Sequence, residues 1–95
     1  MATYMVFTRE STNNPAELDT YSQKVGNTLA GRPITVLAAY GHHEVVEGPE
    51  VEGVVILEFP SFEAAKAWYQ SSAYREVREH RFRGATYRAV IVEGV

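Results

Sequence analysis

Between Gly53 and Tyr74 the chain reads GVVILEFPSFEAAKAWYQSSAY, and this stretch leaves few ways to fold. Val54, Val55, Ile56, Leu57, Glu58 and Phe59 are nearly all apolar and largely β-branched, as in a strand buried on both faces. Pro60 then ends the strand, because proline brings no N–H to a ladder. Ser61 is placed to cap a helix by accepting from first-turn N–H groups. From there Phe62, Ala65, Trp68 and Tyr69 recur at three and four, the spacing of one helical face. Gln70-Ser71-Ser72 interrupts that helix, and Ser71 or Ser72 can recap it.

The rest of the chain arranges itself around this unit. Thr3 to Thr8 alternates Tyr4 and Val6 with Met5 and Phe7, a strand with two apolar faces, and Arg9 to Asn13 reads as a turn. Asn14 is an N-cap, with Pro15 at the first helical position and Glu17 three residues after the cap. Leu18, Tyr21, Val25 and Leu29 continue the helical period, and Gly31 marks its stop. Pro33 opens a second strand from Ile34 to Tyr40, with Ile34, Val36, Ala38 and Tyr40 on one face. Gly41 breaks it, His42 to Val46 can resume it, and Glu47 to Gly53 is a loop. After the recapped helix, which places Tyr74, Val77, Arg78 and Arg81 on one face, Gly84 ends the segment and Tyr87 to Val92 forms the last strand.

Strand, helix, strand, strand, helix, strand is the order of an α+β, ferredoxin-like βαββαβ fold, a four-stranded antiparallel sheet with helices on one face. With 95 residues, a single domain over 1–95 is expected. Two helices cover only one side of such a sheet, yet these strands are apolar on both. Soluble monomers rarely leave a patch of that kind open. A homodimer through the open sheet face is therefore expected.

Several partner classes are excluded or disfavoured. There is no cysteine, so disulfide and thiolate chemistry are absent. Net charge is −3 with the basic residues spread among acids, which argues against nucleic acid. No apolar run approaches the roughly 20 residues of a membrane span. The N-terminus lacks a signal-peptide pattern, so a cytoplasmic protein is expected.

The string Glu58-Phe59-Pro60-Ser61, followed by Ala65, Trp68-Tyr69, Ser71 and Tyr74, and closed by Val92-Glu93-Gly94, resembles the domain of unknown function 1330 (DUF1330) family of the dimeric α/β-barrel superfamily. The resemblance runs over essentially the whole chain. It implies the fold and a dimer, and no established activity. Where that family usually has Ser-Pro-Glu-Tyr, this chain has Ser71-Ser72-Ala73-Tyr74, and where the family has a Gly-Gly turn it has Tyr40-Gly41-His42-His43. The superfamily includes cofactor-independent quinol-type monooxygenases, muconolactone-isomerase-like proteins and haem-degrading monooxygenases, with pockets between sheet and helices. The spacing Trp68-x5-Tyr74 is similar to a pocket-lining pair in some of the monooxygenases.

Candidate site residues follow from side-chain chemistry. Trp68 and Tyr74 can wall a pocket for a flat substrate, or simply pack the core. Arg78 and Arg81 share the Tyr74 face, where an inward arginine can bind a carboxylate or an enolate oxygen; Arg78 is the candidate for stabilising developing negative charge as a catalytic group, while such arginines more often lie along the surface. His42 is a candidate general base, while adjacent His42 and His43 in extended backbone point apart and do not suit one metal. Glu58 interrupts an apolar strand, so it is either a buried substrate-contacting acid or base, or an ion-pair partner of Arg88 or another arginine at the sheet edge. His80 lies in the charged run REHRFR and is expected to be exposed. No metal set and no cofactor is implied, and a first helix without histidine argues against haem. The expected function is binding or transformation of a small aromatic or carbonyl metabolite without a cofactor. The alternative is a non-catalytic dimeric ligand-binding or interaction module.

Overall fold

The computed structural model describes all residues, Met1–Val95. Strand β1 (Thr3–Thr12) is followed by helix α1 (Pro15–Leu29), strands β2 (Thr35–Ala39) and β3 (Gly53–Phe59), helices α2 (Phe62–Tyr69) and α3 (Ser72–Gly84), and strand β4 (Ala85–Glu93). The four strands form one antiparallel sheet in the order β2-β3-β1-β4, with β1 central between β3 and β4. This is the ferredoxin-like arrangement, with the second helical segment broken in two. No helix is long and apolar enough to cross a membrane.

The breaks in the chain have local causes. Asn14 accepts from the Ala16 N–H at the start of α1, with Pro15 behind it. Ser61 accepts from the Ala64 N–H at the start of α2. Ser71 does two jobs at the α2–α3 joint: its hydroxyl donates to the Trp68 carbonyl at 2.7 Å and accepts from the Tyr74 N–H at 3.2 Å. The end of α3 is tied to the start of α1, because the Gly84 carbonyl accepts from both Asn13 and Asn14 N–H groups. A Cβ on Gly84 would stand 3.0 Å from the Leu18 backbone nitrogen, so only glycine lets the helices approach this closely.

The register separates the two sheet faces. Met5 lies opposite Leu57 and Ile91, and Phe7 opposite Val55 and Ala89, all on the helix side. With Phe59 these meet Tyr21 of α1, Ala65 and Trp68 of α2, and Tyr74 and Val77 of α3 in one core. Fully burying a large apolar side chain contributes about 1.5–3 kcal/mol, so this cluster dominates the stability. The other face carries Tyr4, Val6, Val54, Ile56, Val90 and Val92, and no helix covers it. Val90 is 54% exposed and Val92 49%.

Three details depart from the sequence reading. Strand β1 runs on to Thr12, because a bulge between Arg9 and Ser11 lets Ser11 and Thr12 pair with Thr86 and Ala85. In β2 the register shifts between Val36 and Ala38, so Val36 and Ala39 face the helices and Ala38 faces away. One extra residue, Leu37, breaks the strict alternation that would group Val36 with Ala38. His42 to Val46 forms no strand; the connection from β2 to β3 is irregular, tied where the His43 ring meets the Val51 carbonyl at 3.0 Å.

Candidate functional site

A cavity of about 140 Å³ lies between the sheet and helix α1. Phe7, Val55 and Leu57 make its floor, and Tyr21, Val25 and Leu29 of α1 its roof. Trp68 closes the α2 end, and Val36 and Ala39 of the edge strand, with Tyr40 just beyond it, line the opposite side. Tyr87 and Arg81 complete the wall, and Arg81 is the one lining residue that is not apolar or aromatic.

Hydrogen bonds hold these walls in place. The Trp68 indole Nε1 donates to Thr28 Oγ1 at 3.2 Å, and that hydroxyl donates to the Val25 carbonyl at 2.7 Å. The indole is thus pinned to the last turns of α1. Tyr74 stacks on Trp68 with ring centroids 4.0 Å apart, and its hydroxyl meets that of Tyr21 at 2.8 Å. A second hydroxyl pair, Tyr40 with Tyr87 at 2.6 Å, joins the ends of the two outer strands. These strands are separated by β3 and β1, so the tyrosines must lie across the sheet. Gly53 makes room: a Cβ there would run into the Tyr40 ring. Tyr40 itself takes the left-handed conformation, φ 58°, uncommon for a residue with a bulky side chain.

The electrostatics centre on Arg81. The residue is 4% exposed, and its guanidinium carbon lies 5.3 Å from the Phe7 ring centre, 4.8 Å from that of Tyr87 and 5.0 Å from that of Phe82. Burial works against its charge, but the Tyr74 and Tyr21 hydroxyls reverse the balance and its pKa stands above the ordinary value. Burial, reinforced by the Tyr74 hydroxyl, pushes the Tyr21 phenol far above its usual range. Burial likewise raises Tyr40, helped by the bond to Tyr87, and raises Tyr74 against the lowering pull of Arg81. All three phenols therefore stay neutral at ordinary pH, where they can donate or accept hydrogen bonds. No group of three or more His, Cys, Asp or Glu side chains is arranged to hold a metal ion.

The structure distributes the sequence-predicted site residues unevenly. Trp68 lines the cavity, while Tyr74 sits behind it, fully buried, and reaches the wall only through Trp68 and Tyr21. Arg78 is elsewhere: its Nη1 donates to the Tyr69 carbonyl at 3.2 Å and its guanidinium lies over the Tyr69 ring at 4.6 Å. His42 is exposed in the connection after β2 and does not line the cavity. Glu58 is half-buried on the uncovered face, opposite Tyr4 and Thr35. It forms no ion pair with Arg88, because Arg88 lies opposite Thr8, four residues and about 13 Å further along β1. His80, expected to be exposed, is half-buried and meets Glu17 at 2.7 Å.

Arg81 was detectable on the helix. Seven residues are nearly two full turns, which returns Arg81 to the direction of Tyr74, whereas Arg78 overshoots by about 40°. The Tyr40–Tyr87 bridge carried no local signal, since its partners are 47 residues apart.

Similar structures are known. A protein of unknown function from Rhodopseudomonas palustris superposes with a TM-score of 0.77 at 18% identity, over 99% of this chain and 82% of that one. A dimeric ferredoxin-like protein of unknown function from Thermobifida fusca gives 0.68 at 11% identity, covering 99% and 92%. A mutant form of SnoaB of Streptomyces nogalater, a cofactor-independent oxygenase, gives 0.68 at 12% identity, covering 98% and 92%. At these identities the likeness concerns the fold. No curated protein matches the chain. The sequence pattern of the family described as domain of unknown function (DUF1330) matches residues 2–95, and the chain belongs to that family.

Proposed function

We propose that this chain is a homodimeric α/β-barrel protein whose cavity binds a small aromatic or carbonyl metabolite and transforms it without a bound cofactor. The cavity carries the reading: an apolar chamber of about 140 Å³, walled by an indole and phenol rings, with a single charged group. Small-molecule sites have this make-up, mainly apolar with few convergent polar groups. Trp68 closes one end of the chamber, and Tyr74 stacks on its indole and meets the Tyr21 hydroxyl at 2.8 Å. The resemblance in fold to a cofactor-independent oxygenase supports turnover without a cofactor, and the dimeric state of a ferredoxin-like protein of similar fold supports self-association, for which the uncovered face offers the surface.

One observation favours a second reading, a dimeric binding module without turnover. No carboxylate or imidazole lines the cavity, so the usual general bases are not at hand there.

A thermal-shift screen with single-ring aromatics tests the site. Binding to the native state alone raises Tm with the logarithm of ligand excess. Val36 lines the cavity from an edge strand and is 49% exposed, so Val36→Trp can fill the chamber with little strain. The shift is expected in the wild type and lost in Val36→Trp; a flat wild-type response across the screen contradicts the reading. Oxygen uptake with a simple hydroquinone then separates the two readings, turnover favouring the oxygenase-like one.

A further inference from the structure

Arg81 is a buried cation without a counter-charge. Its Nε atom has no hydrogen-bond partner, and the ion pairs of the chain join Arg9 to Glu52 and Glu17 to His80 and Arg83, not Arg81 to any acid. A guanidinium does not shed its proton at any pH the fold survives. Isolating that charge from water is costly unless something pairs with it. The rings of Phe7, Tyr87 and Phe82 and the neutral hydroxyls of Tyr74 and Tyr21 offset part of the cost, but none of them carries a negative charge. Rings do not take up the in-plane N–H donors as oxygen atoms do, and a carboxylate matches that fork with two parallel bonds.

The volume limits what else the occupant can be. A dry apolar cavity of about 150 Å³ is large enough to hold one benzene ring. The chamber here is about 140 Å³ and apolar on every side except at Arg81. We propose that it is a site for a single-ring carboxylate, with the ring against Trp68, Leu57 and Val25 and the carboxylate paired with Arg81. This assignment rests on the cavity being a ligand site, and it names the class of ligand. Of the two arginines that share the Tyr74 face in the sequence, it gives the binding role to Arg81 and not to Arg78.

Calorimetric titration of the wild-type protein with benzoate and with benzyl alcohol, at one ionic strength, tests it. The two probes share a ring and differ in charge. Benzoate is expected to bind about tenfold or more tightly than benzyl alcohol, since a charge-assisted bidentate pair replaces a neutral contact. Arg81→Met, with its fold checked by circular dichroism, is expected to lose that preference and keep its affinity for benzyl alcohol. Arg81→Lys, a point charge without the fork, is expected to retain only part of the preference. If Arg81→Met does not fold, the wild-type pair and Arg81→Lys decide. Equal binding of the two probes overturns the carboxylate assignment and leaves the cavity reading standing. Binding of neither probe overturns both. Benzoate binding that survives Val36→Trp places the anion outside the cavity and also overturns the assignment.

Discussion

Gly53 and Tyr40 show how one missing side chain shapes the cavity mouth. The Tyr40 ring occupies the space a Cβ on Gly53 would need, and its hydroxyl then reaches Tyr87. Gly53→Ala is expected to destabilise the fold by about 1–3 kcal/mol, as overpacking does, because the ring must move against a backbone already held at φ 58°. Gly26 makes the opposite case. It sits mid-helix in α1, and a Cβ there would meet nothing within 4 Å, so Gly26→Ala is expected to stabilise by up to about 1 kcal/mol. Urea denaturation of the two variants checks both signs. Gly26 falls inside the helical period of Leu18, Tyr21, Val25 and Leu29, so its weakness there is legible in the sequence. The need for Gly53 is not, because the clash that demands glycine comes from a ring 13 residues away. Arg81 lies between these cases: its place on the core stripe followed from helix geometry, but its lack of an acid partner needed every other element in position.

The helices owe their boundaries to short polar devices, and these are the features a sequence shows best. Asn14 and Ser61 cap where the spacing placed them, and Ser71 resolves the choice between two serines. Ser71→Ala removes both the cap on Tyr74 N–H and the bond to the Trp68 carbonyl, and is expected to cost about 1–2 kcal/mol, more than Ser61→Ala. Across helices, Glu17 of α1 is held by His80 and Arg83 of α3. The hydrogen bond to His80 lowers the Glu17 pKa below 4.5, with Arg83 adding to it and partial desolvation opposing it. A lowered carboxyl pKa means stability that is present above 4.5 and lost as pH falls through the folded-state value. Glu52 is lowered similarly by the Thr12 hydroxyl, so the wild-type curve alone does not isolate Glu17. The gap in urea midpoint between wild type and Glu17→Gln is expected to narrow as pH drops from about 7 to about 3; a constant gap contradicts the assignment. The strands were harder to read than the helices. A bulge inverts the faces of β2 beyond Val36, and a second bulge extends β1 through residues polar enough to look like a turn. Neither shift has a signature in alternation, because bulges depend on the partner strand.

Taken whole, the protein is a slab of 33 × 32 × 18 Å, with helices and cavity on one side of the sheet and a bare apolar surface on the other. The uncovered face could be anticipated, since strands with two apolar faces outnumbered the helices available to cover them. Ile56 and Val90 stand on that face away from the cavity. Sedimentation is expected to give twice the 10.6 kDa chain mass for the wild type and single chains for an Ile56→Glu, Val90→Glu double variant. The chamber on the helix side contains a built-in reporter, because Trp68 is the only tryptophan and its indole forms one wall. Titrating benzoate while following Trp68 fluorescence and its indole N–H resonance therefore tests the cavity as a ligand site most directly. A saturable change in the wild type that vanishes in Val36→Trp is the result expected. An unaltered Trp68 signal up to millimolar benzoate and benzyl alcohol would contradict it.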